Sequence, residues 1–366
     1  MNQGVHQGQY TGAGAGTYGR PGPTAPQAPQ APQTPQAPQA SPVPQTPQAS
    51  PVPQTPQPAG VPPQYQVVQQ VSEDPSATVY LCRSLPDGGG DLALKVFHLP
   101  VHDERRRLDV HSGLLAAGAA TRHPCALEVV DAGFTPDHRP YVVTPFCPGG
   151  TAEARMASGG LPVEEVLVTG VRLALALHAS HRSGVLHLDV RPGNVVYDAQ
   201  GNALLTGHGI TRILQRCVPG AGAIFDPMFA AREHFGWEKP APATDVHALG
   251  ATLYGLLTGA PPYAAAAQRG WAALYEEIFR GELSRPRQPL PPGLFELLER
   301  MVSAHPENRP PLTEVHRQLR NLVPHAARHR VPDLEPEPDR VLPLPGWTPA
   351  DEAAIVAAER REDEAS

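Results

Sequence analysis

Residues 185–194 read Val-Leu-His-Leu-Asp-Val-Arg-Pro-Gly-Asn, and the rest of the chain is organised around these ten residues. An apolar, β-branched start leads into His187 and Asp189, and the Pro-Gly pair then predicts a loop. Such a loop would hold the carboxylate of Asp189 and the carboxamide of Asn194, five positions apart, towards one cavity. A carboxylate and a carboxamide held together in this way mark the loop as the candidate site.

The loop resembles the catalytic loop of eukaryotic-type serine/threonine protein kinases, above all those of bacteria. The family pattern is His-Arg-Asp-x-x-x-x-Asn. The resemblance implies that Asp189 takes the position of the catalytic base and that Asn194 is a magnesium ligand. Leu188 replaces the Arg of the pattern, and Arg191 replaces the Lys that follows the Asp by two positions. Asp189, Arg191 and Asn194 are therefore the candidate catalytic residues.

A second stretch, Asp91–Phe97, supports the resemblance. Its alternation predicts a strand with Ala93 and Lys95 on one face. It is similar to the family's Val-Ala-Ile-Lys strand, whose Lys pairs with the nucleotide phosphates. The alternative is a solvated surface lysine. Only Lys95 and Lys239 are lysines among the 29 basic residues, so a lysine at this position is informative.

The resemblance also assigns the other contacts of a nucleotide. Thr144 would lie at the back of an adenine pocket, and Pro145–Cys147 would form the hinge between two lobes. The residues expected to contact a nucleotide are Lys95, Val79, Ala93, Thr144, Phe146, Cys147 and Val196.

The loop that covers the nucleotide phosphates in this family has lost its glycines. The three glycine positions become Ser72, Asp74 and Ala77. Glycines there let backbone amides approach the phosphates closely. A carboxylate at Asp74 would instead repel a polyanion.

The helix expected over Arg105–Ala119 has lost the glutamate that would pair with Lys95. The partner position falls on His111 or, in another register, on Asp109. A neutral histidine cannot anchor a lysine as a carboxylate does. The lysine is therefore expected to lack its usual partner.

The magnesium-binding Asp-Phe-Gly motif becomes Gly207-His208-Gly209, which leaves Asn194 as a weak metal ligand. The segment Arg212–Glu233 contains no Ser, Thr or Tyr, so it offers no hydroxyl for an activating phosphorylation. ATP is therefore expected to bind weakly, with little contribution from Mg²⁺.

The scaffold of the large lobe, by contrast, matches the family. A helix through Asp245 would bind the backbone of the catalytic loop, and Glu233 would form a buried ion pair with Arg309. Further amphipathic helices are predicted over Val163–Gly184, Trp271–Arg280, Leu294–Ala304 and Leu312–Leu322.

Composition separates two tails from the domain. Residues 1–64 are rich in Pro and Gln, with residues 41–48 repeated at 50–57, and are expected to be disordered. They would serve either as a spacer or as a docking segment for a Pro-recognising protein. Residues 324–366 are expected to be an acidic, solvated tail, since residues 331–366 alone account for the net charge of −7.

The same composition excludes several classes of function. The balanced charge of the remaining residues offers no basic field for nucleic acid, and no apolar run is long enough for a membrane span. The 4 cysteines are too far apart in sequence for a zinc ribbon or a disulfide framework, so a cytoplasmic protein is expected.

Together these patterns predict an α+β, bilobal protein-kinase-like fold. Residues 65–148 would form a small β-rich lobe and the hinge, and residues 149–323 a larger helical lobe. The degenerate motifs predict a pseudokinase: a regulatory binding or scaffold module for protein partners, with weak or metal-independent nucleotide binding. The alternative is a weakly active or unconventional ATP-dependent kinase that acts on serine, threonine or a small molecule.

Overall fold

The structure is a computed structural model, and it describes residues 58, 60–85, 89–120, 122–218, 225–236 and 238–334. Within these residues a β-sheet lobe is followed by a helical lobe, as predicted. The predictions made for residues 1–57 and 335–366, which make up most of both tails, lie outside the described residues.

The small lobe is an antiparallel sheet with one helix. Its strands are β1 (Tyr65–Glu73), β2 (Ala77–Ser84), β3 (Leu92–Phe97), β4 (Asp131–Phe134) and β5 (Pro140–Pro145). Within the described ranges they form one five-stranded sheet in the spatial order β1-β2-β3-β5-β4. Helix α1 (Glu104–Ala120) connects β3 to β4, close to the span predicted for it.

The register of the sheet brings four predicted nucleotide residues to one face. Val79 of β2 lies opposite Lys95 of β3, and Ala93 lies opposite Thr144 of β5. Residues directly across an antiparallel pair share a face. Ala93 and Lys95 share it too, because they are two positions apart on one strand.

The large lobe is mostly helical where the structure describes it. Its helices are α2 (Ala152–Met156), α3 (Val163–Arg182), α4 (Ile210–Cys217), α5 (Pro242–Thr258), α6 (Ala264–Ala267), α7 (Trp271–Arg280), α8 (Leu294–Met301) and α9 (Leu312–Leu322). Short 3₁₀ helices cover Pro192–Asn194, Arg232–Phe235, Pro306–Asn308 and His325–Arg330. Strands β6 (Val195–Tyr197) and β7 (Ala203–Leu205) form an antiparallel pair after the catalytic loop.

The core of the large lobe lies between α3 and α5. Leu173 and Leu177 of α3 and Leu249 and Leu253 of α5 are almost fully buried. Burying one such side chain stabilises the fold by about 1.5–3 kcal/mol. The catalytic loop runs from the end of α3 to β6, so it is attached directly to this core.

The packed domain continues beyond the boundary predicted at residue 323. Ala327 and Val331 are buried in the core of the large lobe, and the guanidinium of Arg172 donates to the Arg330 carbonyl at 3.4 Å. Residues 324–334 therefore belong to the domain rather than to a solvated tail, because they cover apolar side chains of the core. None of the helices in the described ranges is both long and apolar enough to cross a membrane.

Candidate active site

Asp245 holds the start of the catalytic loop, as predicted. Its carboxylate is fully buried on α5 and accepts the backbone N–H groups of His187 and Leu188, each at 2.8 Å. The ring nitrogen Nε2 of His181 lies 2.7 Å from the same carboxylate. Leu188 has a φ of +61°, a left-handed conformation that is costly for a γ-branched side chain. The bidentate contact with Asp245 stabilises this bend.

His187 fixes the backbone at the catalytic position. Its Nε2 lies 3.0 Å from the Thr206 carbonyl, and its Nδ1 accepts the N–H of Asp189 at 3.2 Å. Burial lowers the pKa of His187, although Asp245 and Asp189 act in the opposite direction. The neutral ring is therefore a structural brace with one donor and one acceptor, both used.

Asp189, the predicted catalytic base, lies in the loop between α3 and β6, and its carboxylate is hydrogen-bonded on both oxygens. Oδ2 accepts from Asn194 Nδ2 at 2.7 Å and from Arg191 Nε at 3.3 Å. Oδ1 accepts from the backbone N–H of Asp226 at 3.4 Å. Three donors thus already occupy the oxygens that a substrate hydroxyl would need to reach. The side chain is only 9% exposed.

Position 207 offers no ligand for a metal ion. Gly207 has a φ of +92°, and a Cβ there would lie 3.7 Å from Asn194 Cγ, so this glycine stands beside the predicted metal ligand. Asn194 also donates to the Asp189 carbonyl at 2.8 Å. No group of three His, Cys, Asp or Glu side chains in the described ranges could hold a metal ion. Mg²⁺ is usually held through one or two carboxylates together with substrate phosphates, and position 207 does not supply such a carboxylate.

His208, in the middle of the degenerate metal motif, packs against the catalytic loop. Its ring lies edge-on to that of His187, with 4.8 Å between the ring centroids. Burial lowers the pKa of His208 far below its usual value, and His187 acts in the same direction. A neutral ring thus packs against His187, which braces the backbone of the catalytic loop.

Lys95 is half-buried and has no dedicated acidic partner among the described residues. Among the described residues, neither His111 nor Asp109 of α1, the two predicted partner positions, pairs with it. Burial lowers the pKa of Lys95 and Arg191 lowers it further, while Asp189 and Asp74 oppose the shift. The lysine therefore stands in a group of charges from the catalytic loop and the β1–β2 turn.

Arg191 joins that turn to the catalytic loop. Its Nη2 lies 2.7 Å from Asp74 Oδ2, and its Nε lies 3.3 Å from Asp189 Oδ2. Burial alone would lower the pKa of Arg191, but Asp189 and Asp74 raise it above its usual value. One guanidinium thus bridges a small-lobe carboxylate and the predicted catalytic base.

Helix α4 directly follows the degenerate metal motif and packs on the small lobe. Ile210 and Leu214 of α4 are buried in one apolar cluster with Val110 and Leu114 of α1. A Cβ added at Gly113 would lie 3.2 Å from Ile213 Cγ1, so the two helices approach closely. In the family, the segment after the metal motif is the one that activating phosphorylation controls. Here its first helix, α4, is part of the apolar core between the lobes.

The residues predicted to contact an adenine ring come from both lobes. Thr144 is buried on the same sheet face as Val79 and Ala93, and Val196 lies half-buried on β6 in the other lobe. In the hinge, the Phe146 N–H donates to the Asp91 carbonyl at 3.0 Å, and the Cys147 carbonyl accepts from Gly150 N–H at 3.2 Å. The described residues leave the N–H of Cys147 without a partner.

The scaffold pair predicted from the sequence is also present. Arg309 lies 2.6 Å from Glu233 Oε1 and 3.1 Å from Oε2, in a bidentate contact. Thr244 donates to the same carboxylate at 2.9 Å. Burial would raise the pKa of Glu233, but Arg309 lowers it by hydrogen bonding and charge.

The described fold and loop geometry match a protein kinase domain, whose family model covers residues 65–319 of this chain. The chain belongs to the protein kinase family. The kinase domain is 36% identical over 202 residues to the serine/threonine-protein kinase PknK of Mycobacterium tuberculosis, a region that covers 53% of this chain and 18% of PknK. It is 30% identical over 229 residues to the DNA damage-responsive serine/threonine-protein kinase RqkA of Deinococcus radiodurans, with 59% of this chain and 32% of RqkA covered.

A third relative is the serine/threonine-protein kinase PkaA of Streptomyces coelicolor. The kinase domain is 34% identical to it over 169 residues, which cover 43% of this chain and 29% of PkaA. The matched regions thus span about a third or less of these three relatives. The likeness concerns the kinase domain and not the rest of those proteins.

Two features of this kinase domain were missed in the sequence. The first is the ion pair of Asp74 and Arg191, although an acid at a glycine position and a base at the lysine position are visible in the two motifs. The second is α4, whose signal is the spacing of Ile210, Ile213 and Leu214 at i, i+3 and i+4. A spacing search within the activation segment would have found this helix.

Proposed function

We propose that this kinase domain is a pseudokinase that binds protein partners and regulates or scaffolds them, instead of transferring phosphate. The observation that carries the proposal is Gly207, which stands beside Asn194 where the family has its metal-binding carboxylate. Removing one charge-stabilising group from an active site typically lowers the rate by about 10²–10³-fold. Here the metal ligand is missing while Asp189 is tied to Asn194 and Arg191.

The proposal includes weak nucleotide binding that depends on the base rather than on the phosphates. The apolar face with Val79 and Ala93 and the Cys147 amide of the hinge suit a purine. The cations of the phosphate half share the same carboxylates: Arg191 pairs with Asp74 and Asp189, and the charges of both carboxylates also act on Lys95. Free thiols at all four cysteine positions support the further proposal of a cytoplasmic protein.

A weakly active or unconventional kinase is the second candidate, with serine, threonine or a small molecule as acceptor. It is favoured by Asp189, which Asp245 and His187 hold in a well-braced loop. It is also favoured by Lys95, which lies on the same sheet face as Val79 and Ala93.

The experiment that separates the two candidates is a radiolabelled ATP assay on the full chain, with Mg²⁺ and with Mn²⁺. A general acceptor protein and the chain itself serve as substrates. We expect no label transfer that differs from that of Asp189→Asn. Transfer by the parent that Asp189→Asn abolishes would overturn the pseudokinase proposal and establish the second candidate.

A further inference from the structure

We propose that Asp74 is a specificity-determining residue, whose carboxylate takes the place of a ligand phosphate on Arg191 and so makes the cleft prefer a nucleoside to its phosphates. This inference rests on the proposed base-dependent binding of a nucleotide. It goes beyond it by assigning the discrimination between phosphorylated and unphosphorylated ligands to one side chain.

The turn between β1 and β2 holds the carboxylate of Asp74 in a defined orientation. Oδ1 accepts from the N–H of Ser76 at 2.8 Å, from Ser76 Oγ at 2.6 Å and from the N–H of Ala77 at 2.9 Å. The N–H of Asp74 itself donates to the Ala77 carbonyl at 2.9 Å. Because Oδ1 is used within the turn, Oδ2 is left to point out of it, towards the other lobe.

Oδ2 meets Arg191, which is largely shielded from water. The guanidinium is 12% exposed and lies 2.7 Å from Asp74 Oδ2. A charge-assisted contact of this length between partly buried groups is among the stronger hydrogen bonds of proteins. An anionic ligand that needs Arg191 must therefore compete with a carboxylate that is already in place.

The surrounding charges also disfavour a phosphate. In the described part of the chain, Asp74, Asp189 and Asp226 lie around Arg191, and Lys95 is close to two of these carboxylates. Burial alone would raise the pKa of Asp74, but hydrogen bonds from Ser76 and the charges of Lys95 and Arg191 lower it. Asp74 is therefore ionised at neutral pH. A phosphate that entered this group of charges would have to share Lys95 and Arg191 with carboxylates that are already there.

Asp74→Asn is the variant that tests this assignment. Asparagine keeps the Oδ1 acceptor that caps the turn but replaces the charged Oδ2 by an amide that cannot accept from Arg191. Glu73→Gln is the matched control, since Glu73 is an exposed carboxylate of the same turn whose contact is with Gln70 at 2.9 Å. Each variant removes one negative charge, and the two positions are adjacent in the sequence.

The measurement is isothermal titration of the full chain with adenosine, AMP and ADP, all in EDTA. For the parent we expect adenosine to bind at least as tightly as ADP. Asp74→Asn should tighten ADP and AMP by about tenfold, which corresponds to about 1.4 kcal/mol, and should change adenosine by less than about twofold. Glu73→Gln should leave all three affinities within about twofold of the parent.

Two results would overturn the assignment. One is an adenosine-to-ADP affinity ratio that is the same in Asp74→Asn as in the parent. The other is the absence of binding of all three ligands to both proteins. Neither result depends on phosphate transfer, so a failure of this inference is distinct from a positive radiolabel assay, which would overturn the pseudokinase proposal.

Discussion

Arg191 of the catalytic loop and Asp74 of the β1–β2 turn, 117 positions apart in the chain, form an ion pair with 2.7 Å between Nη2 and Oδ2. The pair links the β1–β2 turn of the small lobe to the catalytic loop of the large lobe. Asp74 stands at a glycine position of the family pattern, and Arg191 stands at a lysine position. In the fold these two departures form one feature, because their opposite charges pair.

Arg309→Ala should destabilise the domain by about 3–5 kcal/mol, since it leaves the carboxylate of Glu233 buried without its partner. The two side chains are 0% and 2% exposed. The free energy of unfolding from urea titration gives the measurement. Arg300→Ala is the control, because its pair with Glu314 is exposed and should contribute less than about 1 kcal/mol. Equal stability of Arg309→Ala and the parent would contradict the described pairing.

Gly207→Asp should create Mg²⁺-dependent binding of ATP. A Cβ at this position meets Asn194 at ordinary contact distances, and Asp tolerates the left-handed conformation better than most residues. Gly207→Ala carries a comparable backbone strain without the carboxylate, which makes it the matched control. Titration with ATP in Mg²⁺ and in EDTA should separate the two variants by about tenfold in affinity. If the metal affects neither variant, the missing carboxylate is not what prevents metal binding.

Leu214→Ala should destabilise the domain by about 2–5 kcal/mol, as expected for truncation of a fully buried leucine. The reason is the packing of α4 against α1 in the core between the lobes. Gln215→Ala, on the adjacent half-exposed position, should change stability by no more than about 0.5 kcal/mol. Chemical denaturation of both variants provides the comparison, and similar values for the two would mean that α4 is not docked.

Stability should fall as the pH drops from 6.5 to 5. Burial lowers the pKa of His247 to about 3, and it lowers those of His187 and His208 as well. Between the folded and unfolded pKa values the unfolded chain binds protons that the folded protein does not. His247 therefore removes up to about 1.4 kcal/mol of stability per pH unit on acidification, and His187 and His208 act in the same direction.

Urea titrations at several pH values measure this slope, and His247→Gln should reduce it by the share of one histidine. Above pH 7 the same histidines are neutral in both states and should contribute no slope, which provides the internal control. A flat profile between pH 6.5 and 5 would show that these rings are not buried in their neutral form.

The sequence determined the architecture because its signals are local. The loop at residues 185–194, the strand with Lys95 and the helix with Asp245 each carry a short motif with a defined spacing, and the strands and helices followed in the expected order. Helices such as α7 and α9 were predicted to the residue, since apolar periodicity and flanking Gly or Pro residues define them locally.

The tertiary structure alone decided how the departures from the family pattern combine. Asp74 was predicted to repel a phosphate, but only the closed lobes show that it has a partner in Arg191. The register of α1 stayed open between His111 and Asp109 in the sequence, and in the folded domain Lys95 stands beside Asp189 and Asp74 instead. Charges act through space over a few ångströms and not along the chain. Residues far apart in sequence therefore become one site only when folding brings the two lobes together.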